Sequence, residues 1–335
     1  MIWWRAFLFA TIGALILLLC LALTALAGES SVLDFGALPN DGSDDSAAFQ
    51  AAVDAGGVIR VPAGTYNLQV SGKNWAVYCR KSVDLVGDGR KLSVIQTEDS
   101  LTAPGNPFGC APGTRVTFRG LTIQGPTRLN GHFSTQILHY GGPDGLLRIE
   151  DCEIRGGHMA IRMEESAGAR DEPRTVIMDC VIGPVARTGF LQAGGGSADM
   201  IRTRFQGYGL AGSNQAHAVY TYSAVDLLVD RCTFDGNRGR GYEVHPYGDT
   251  FGTGGRIVIR GSRFRPSASG QGILGHTANL TLISECRLGP TGVWVRKGDV
   301  TLSDCALQTE SQVKPWPYTP GHGVWTFRDC RFGVE

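Results

Sequence analysis

The sequence predicts an all-β chain: a single-stranded right-handed parallel β-helix with a short N-terminal capping helix. Three observations lead there. The first is a phrase repeated down the C-terminal two-thirds, in which an apolar strand ends in a two-residue polar step, then Cys or a small residue, then another apolar residue. It reads Phe118-Arg-Gly-Leu-Thr-Ile123, Ile149-Glu-Asp-Cys-Glu-Ile154, Ile177-Met-Asp-Cys-Val-Ile182, Ile201-Arg-Thr-Arg-Phe205 and Val229-Asp-Arg-Cys-Thr-Phe234. It continues as Ile259-Arg-Gly-Ser-Arg-Phe264, Ile283-Ser-Glu-Cys-Arg-Leu288, Leu302-Ser-Asp-Cys-Ala-Leu307 and Phe327-Arg-Asp-Cys-Arg-Phe332. Nine copies lie 19 to 31 residues apart, so one supersecondary unit is being stacked. The second observation is a short strand between copies, usually after a glycine, as in Gly189-Phe-Leu-Gln, Gly241-Tyr-Glu-Val and Gly292-Val-Trp-Val. The third is a leading segment of different character, with one amphipathic helical stretch.

Taken in order, residues 1–27 read as a targeting segment: Arg5, then the apolar run Ala6 to Thr24, then the A-x-A signal Ala25-Leu-Ala27. An uncleaved membrane anchor is the alternative, because the run is long enough to span a bilayer. Residues 28–70 read as the cap and first strand, and residues 71–335 as the β-helix. Within the cap, Phe49, Ala52 and Val53 form one apolar helical face ending before Gly56-Gly57. A solenoid must cover its terminal rung or expose a strand edge, so this helix is expected to be a lid.

Six cysteines (Cys152, Cys180, Cys232, Cys286, Cys305, Cys330) share one place in the phrase, and Thr203 and Ser262 fill the same slot. Small, weakly polar side chains at one repeat position predict a buried column rather than disulfides or a metal site. Cys79 and Cys110 lie outside the phrase and could pair with each other.

The motifs Asp34-Phe-Gly-Ala37, Asp41-Gly42, Asp44-Asp45 and Val61-Pro-Ala-Gly-Thr-Tyr66 resemble the leading segment of the pectate-lyase-like superfamily. That group holds pectate lyases, polygalacturonases, rhamnogalacturonan-active enzymes, uronan epimerases and phage tailspike depolymerases. The resemblance implies the β-helix and a substrate groove on one exterior sheet; it does not choose among reactions. It assigns Asp44 and Asp45 to the lid, not to catalysis.

Strands expose alternate residues, so equivalent positions on stacked coils form columns. Pairing the strands by their inward residues, with Tyr242 and Val244 inward, predicts one outward column of Arg162, Leu191, Tyr220, Glu243, Leu274 and Trp294. Its neighbour is Glu164, Ala193, Tyr222, His245, His276 and Arg296. Aromatic faces stack on pyranose rings and arginines fork onto carboxylates, so this wall suits an acidic, uronate-containing polysaccharide. Tyr222, His245, Glu243 and Arg240 are the candidate catalytic residues; Arg162, Glu164, Tyr220, His276, Trp294 and Arg296 are candidate substrate contacts. A base for a C5 proton, an acid and a cation on the carboxylate describe β-elimination or C5 epimerisation, so a polysaccharide lyase or epimerase is expected first. A glycoside hydrolase using Glu243 and Asp249, or a non-catalytic glycan-binding or adhesive β-helix, are the alternatives.

With 31 basic and 31 acidic side chains the formal charge is zero, which gives nucleic acid no basic field to bind. No metal is required by the candidate chemistry, although Ca²⁺ is possible, held weakly by Asp226, Asp230 and Asp249. The expected location is outside the cytoplasm: periplasmic, extracellular or envelope-associated. Membrane contact is expected only if the N-terminal segment stays uncleaved, and the pattern fixes no oligomeric state.

Overall fold

A computed structural model describes residues 29–70, 75–97, 106–126, 134–164, 173–209, 216–222, 225–236, 241–247, 255–265, 273–275, 280–288, 292–295, 298–307, 313–315 and 324–333. Among these, the strands form three parallel sheets, the first of 12 strands, the second of 8 and the third of 10, and a two-stranded remainder. Each strand pairs with the one a full coil away, as Leu146–Glu150 does with Arg174–Met178. The chain is the parallel β-helix its repeats predict.

The repeated phrase builds one corner of the coils from Arg115 onward. Strand Leu146–Glu150 of the first sheet is followed by Asp151 at φ 47°, then buried Cys152, then strand Glu153–Arg155 of the second sheet. Asp179, Arg202, Arg231, Glu285, Asp304 and Asp329 take the same left-handed conformation, with φ between 46° and 57°. Such a backbone costs an L-residue roughly 1–2 kcal/mol, and it persists because the ladder does not break at the bend. The amide of Asp151 donates to the Met178 carbonyl at 3.0 Å, that of Arg202 to Asp230 at 2.8 Å and that of Glu285 to Ser303 at 3.0 Å.

The cysteine column is the internal stack its spacing predicts. The Cys180 thiol donates to the Met178 carbonyl two residues back and reaches the Ile149 carbonyl one coil away. Thr203 and Ser262 serve the same slot: their hydroxyls accept from the Cys180 and Cys232 amides and donate to the Ile201 and Arg260 carbonyls. Two residues further on, Phe205, Phe234 and Phe264 stack with ring centroids 5.2 and 4.7 Å apart. Cys79 and Cys110 sit in register on adjacent coils of the third sheet, both buried and both free thiols. They belong to the core, side by side on paired strands.

Helix α1 (Ser46–Ala55) covers the first coil with Ala48, Phe49, Ala52 and Val53, and Phe49 meets Tyr66 edge-on at 5.4 Å. Asp44 accepts from the Ser46 and Gln69 amides, and Asp45 from those of Leu38 and Asn67. Both carboxylates are therefore committed to the lid. Gln50 on α1 brackets the backbone of Tyr78, donating to its carbonyl at 3.0 Å and accepting from its amide at 2.8 Å. This contact ties the cap to the third sheet. Among the described residues no helix is long and apolar enough to cross a membrane; the expected targeting segment, residues 1–27, lies outside them.

Candidate functional site

The third sheet carries the candidate wall. Its strands include Val77–Cys79, Phe108–Cys110, Thr135–His139, Met159–Met163, Thr188–Ala193, Val219–Tyr222, Val244–Tyr247, Ile273–Gly275 and Val293–Val295. Arg162, Leu191 and Tyr220 stack in register as the alternation predicts, and Leu274 pairs with Trp294. The coil between them differs. Tyr220 faces His245, and Tyr222 faces Tyr247, because Val219 pairs with Val244. The expected columns, which set Glu243 beside Tyr220 and His245 beside Tyr222, are thus slipped by two residues on this one coil. Val244 and Pro246 take the buried places instead of Tyr242 and Val244.

The corrected register gathers an aromatic box. The Tyr220 ring stacks on His245 at 4.9 Å, Tyr222 stacks on Tyr247 at 5.2 Å, and Tyr242 lies 5.0 Å from His245. At its base His217 and His245 touch, Nε2 to Nδ1, at 3.2 Å. The backbone amide of Tyr242 donates to His217 Nδ1 at 3.0 Å. An amide N–H can only donate, so Nδ1 holds a lone pair, and neutral His217 carries its proton on Nε2. That proton points to His245 Nδ1, which leaves neutral His245 with its own proton on Nε2. Burial, with a smaller push from the Arg187 cation, lowers the His217 pKa to about 3, so His217 stays neutral under ordinary conditions.

Residues 30–108 match the family described as rhamnogalacturonase A/epimerase, pectate lyase-like. The chain is 35% identical over 147 residues to mannuronan C5-epimerase AlgE3 of Azotobacter vinelandii, covering 38% of this chain and 8% of that protein. It is 29% identical over 143 residues to AlgE4 of the same organism, covering 38% of this chain and 26% of that one. This chain thus spans about a quarter or less of the length of these relatives. The leading segment of this β-helix chain is thus similar to the pectate-lyase-like family. In three dimensions it is similar to the catalytic domain of Agl-KA, with a TM-score of 0.53 at 15% identity, covering 91% of this chain and 65% of that one. It is also similar to the catalytic domain of a GH87 α-1,3-glucanase in complex with tetrasaccharides, with a TM-score of 0.52 at 12% identity, covering 88% and 64%. At such identities the two structures share the fold alone.

Within this wall, the expected site residues fall into distinct groups. Tyr222 is 41% exposed and stands at the outer edge of the box. Tyr220 is half-buried; burial, with Tyr222 and Tyr247 nearby, pushes its hydroxyl up to about 12. His245 is 8% exposed and Glu243 1%, so neither projects from the wall as the alternation places it. Glu243 precedes the strand, and its carbonyl accepts from the Val219 amide. It lies close enough to Tyr208 that burial and this carboxylate together hold the Tyr208 hydroxyl protonated. Arg162 and Glu164 are ion-paired with each other on the wall. Arg240, His276 and Arg296 lie outside the described residues, as do Asp249 and the side chain of Trp294.

Of the expected calcium donors, Asp226 and Asp230 are among the described residues and Asp249 is not. Asp230 is 4% exposed and is bonded by Arg231 and Arg260, while Asp226 accepts from the Arg256 amide. Both lie on strand Val225–Asp230 of the first sheet, away from the box. Two arginines on Asp230 leave little charge for a cation. No group of three or more His, Cys, Asp or Glu residues that could hold a metal occurs among the described residues.

Three box members, His217, Tyr242 and Tyr247, and the neighbouring Arg187 were not among the expected site residues. Tyr247 is the register partner of Tyr222 and would have followed from the correct alignment. Arg187 sits at the corner before Thr188, its amide bonded to the His158 carbonyl. Burial and the Arg162 cation lower its pKa, while Tyr220 opposes them, so this guanidinium lies within electrostatic reach of both. Strand alternation carries no signal for a corner residue.

Proposed function

We infer that this is an exported carbohydrate-active enzyme acting at C5 of a uronate-containing polysaccharide, as a lyase or C5-epimerase. The observation that carries it is the box itself. Four tyrosines surround a neutral histidine pair, with the Arg162 and Arg187 cations one or two coils away on the same wall. Local sequence similarity to mannuronan C5-epimerases supports the same chemistry, and the composition of residues 1–27 supports export.

Either reaction begins when a base takes the C5 proton and the electron pair moves into the carboxyl group. In elimination the pair returns to form a C4–C5 double bond and expels the O4 leaving group. In epimerisation a proton is added to C5 from the opposite face. Tyr222, the most exposed member, is the candidate for the proton transfer. Tyr220 remains protonated and suits hydrogen-bond donation. The tautomer imposed by His217 makes neutral His245 a donor at Nε2 rather than a base, which revises its expected role. The arginines offset charge developing on the carboxyl oxygens. Glu243, buried beside Tyr208, gives little support to a hydrolase pair.

The test is to incubate the protein with polymannuronate, polygalacturonate and other uronans in D₂O. Ultraviolet absorbance reports unsaturated ends, NMR reports deuterium and configuration at C5, and a reducing-end assay reports hydrolysis. Absorbance or C5 deuteration that disappears in Tyr222→Phe is the expected result. New reducing ends without either signature would overturn the proposal in favour of hydrolysis.

A further inference from the structure

The third sheet holds a second aromatic cluster at its N-terminal end, far from the box. Trp75 stacks on Tyr78 at 4.5 Å with the planes 22° apart, and Tyr140 closes on both edge-on at 5.9 and 6.5 Å. The Arg80 guanidinium lies 5.3 Å over the Tyr78 ring; its side chain is 62% exposed and makes a solvent-exposed ion pair with Asp54 at 3.5 Å. All three rings are part-exposed. A core role would bury them, and an ordinary surface would not stack them.

Register places this cluster on the same wall as the box. Tyr78 pairs with Gly109, Gly109 with Leu138, Leu138 with Arg162, Arg162 with Leu191 and Leu191 with Tyr220. Five steps at about 4.8 Å put the two aromatic sites roughly 24 Å apart. Tyr140 and Glu164 follow on the adjacent column, where the Glu164 carboxylate and Tyr78 add to burial in raising the Tyr140 hydroxyl. Gly109 makes the platform possible. A Cβ there would come within 2.9 Å of the Tyr78 ring and 3.0 Å of the Trp75 ring, so only glycine lets the indole lie against the sheet. The helical cap holds Tyr78 in place through the two Gln50 bonds.

We propose that Trp75, Tyr78, Tyr140 and Arg80 form a distal sugar-binding subsite for the same acidic polysaccharide chain, engaged only by oligomers long enough to reach from the box. The occupant follows from the chemistry: flat apolar faces for pyranose rings, and an exposed guanidinium beside them for a uronate carboxylate. Arg162 lies midway along the wall for the same polymer. A pyranose is about as long as one strand spacing, so the reach corresponds to roughly five or six sugars. The inference rests on the functional reading above and adds a length requirement to it.

Calorimetry with purified uronan trimers and decamers, on the full chain and on Trp75→Ala, tests it. Wild type is expected to bind decamers more tightly than trimers. Trp75→Ala is expected to lose about five- to tenfold for decamers and nothing for trimers. Tyr140→Ala, which leaves the stacked pair in place, is expected to give a smaller loss of the same kind, and circular dichroism checks that both variants are folded. Equal decamer affinity in folded Trp75→Ala and wild type overturns the subsite while leaving the box reading standing. Failure of wild type to bind any uronan overturns both, and is distinguished by its lack of response to length.

Discussion

Two buried histidines make the fold acid-sensitive by an amount that can be worked out. Burial lowers His139 to about 4 and His217 to about 3, against roughly 6.5 in an unfolded chain. Below about pH 6.5 the unfolded chain binds protons that the folded one refuses, so stability falls as pH falls. The loss starts near the unfolded value and continues down to each folded value. Between about pH 7.5 and 5 each histidine shifts the balance by roughly 1.5 pH units' worth of protons, or ~2 kcal/mol, giving ~4 kcal/mol for the pair. That is a large part of an ordinary domain's stability. The assay is urea denaturation at the two pH values, with His217→Gln as the comparison. The variant is expected to lose ~2 kcal/mol on acidification where wild type loses ~4. Imidazole ¹⁵N NMR supplies the site-specific check: His217 should hold its proton on Nε2 and show no titration above about pH 5. A His217 ring titrating between pH 5 and 7 would refute both the burial argument and the tautomer assigned to His245.

Other outcomes follow from the same geometry. Tyr222→Phe is expected to lower kcat on a uronan by about 10²- to 10⁴-fold while leaving the calorimetric affinity within a few-fold; an equal fall in affinity would make Tyr222 a binding residue only. In Gly241→Ala the new methyl would overlap the Ala216 carbonyl oxygen, next to both His217 and Tyr242. It is expected to cost roughly 1–3 kcal/mol and to disturb the His217 ¹⁵N signal, and an unchanged melting temperature and spectrum would contradict it. At the coil bend, Glu285→Val is expected to be about 1–2 kcal/mol less stable than Glu285→Gly, because Glu285 sits at φ 54°. Denaturant midpoints of the two variants measure the difference.

Most of the solenoid is legible in the sequence because its period is carried by several residue types at once. The Cys, Thr and Ser slot marks the corner, and the apolar residue two places on marks the Phe205–Phe234–Phe264 stack. What the phrase does not reveal is the left-handed residue inside its polar step. Aspartate at 151 and 179 hints at it, but arginine at 202 and 231 and glutamate at 285 do not. Those residues are held there by amide bonds to the next coil, a tertiary cause without a local signature. Arg187 and His217 escape for a related reason, since they stand at corners where strand alternation stops.

The slip at His245 has a different origin. Alternation has a period of two, so moving a strand by two residues keeps every side chain on its own face and changes only its neighbour one coil away. Hydrophobic pattern therefore distinguishes Val244 and Pro246 inward from Tyr242 and Val244 inward only by composition. Composition pointed the wrong way, because proline has no amide to donate and normally marks a strand's end. The ladder decided otherwise, pairing Thr221 with Pro246. The consequence for chemistry is large: before the strand, Glu243 is buried where it was expected outward, and Tyr242 lies in the box where it was expected inward. The slip removes Glu243 from the wall and sets His245 against Tyr220 and His217. It also supplies Tyr222 with Tyr247, turning an expected histidine–carboxylate pair into a tyrosine box over a neutral histidine pair. A Tyr220–His245 contact detected by NMR in solution would confirm the register; a Tyr222–His245 contact in its place would restore the original columns and remove the box.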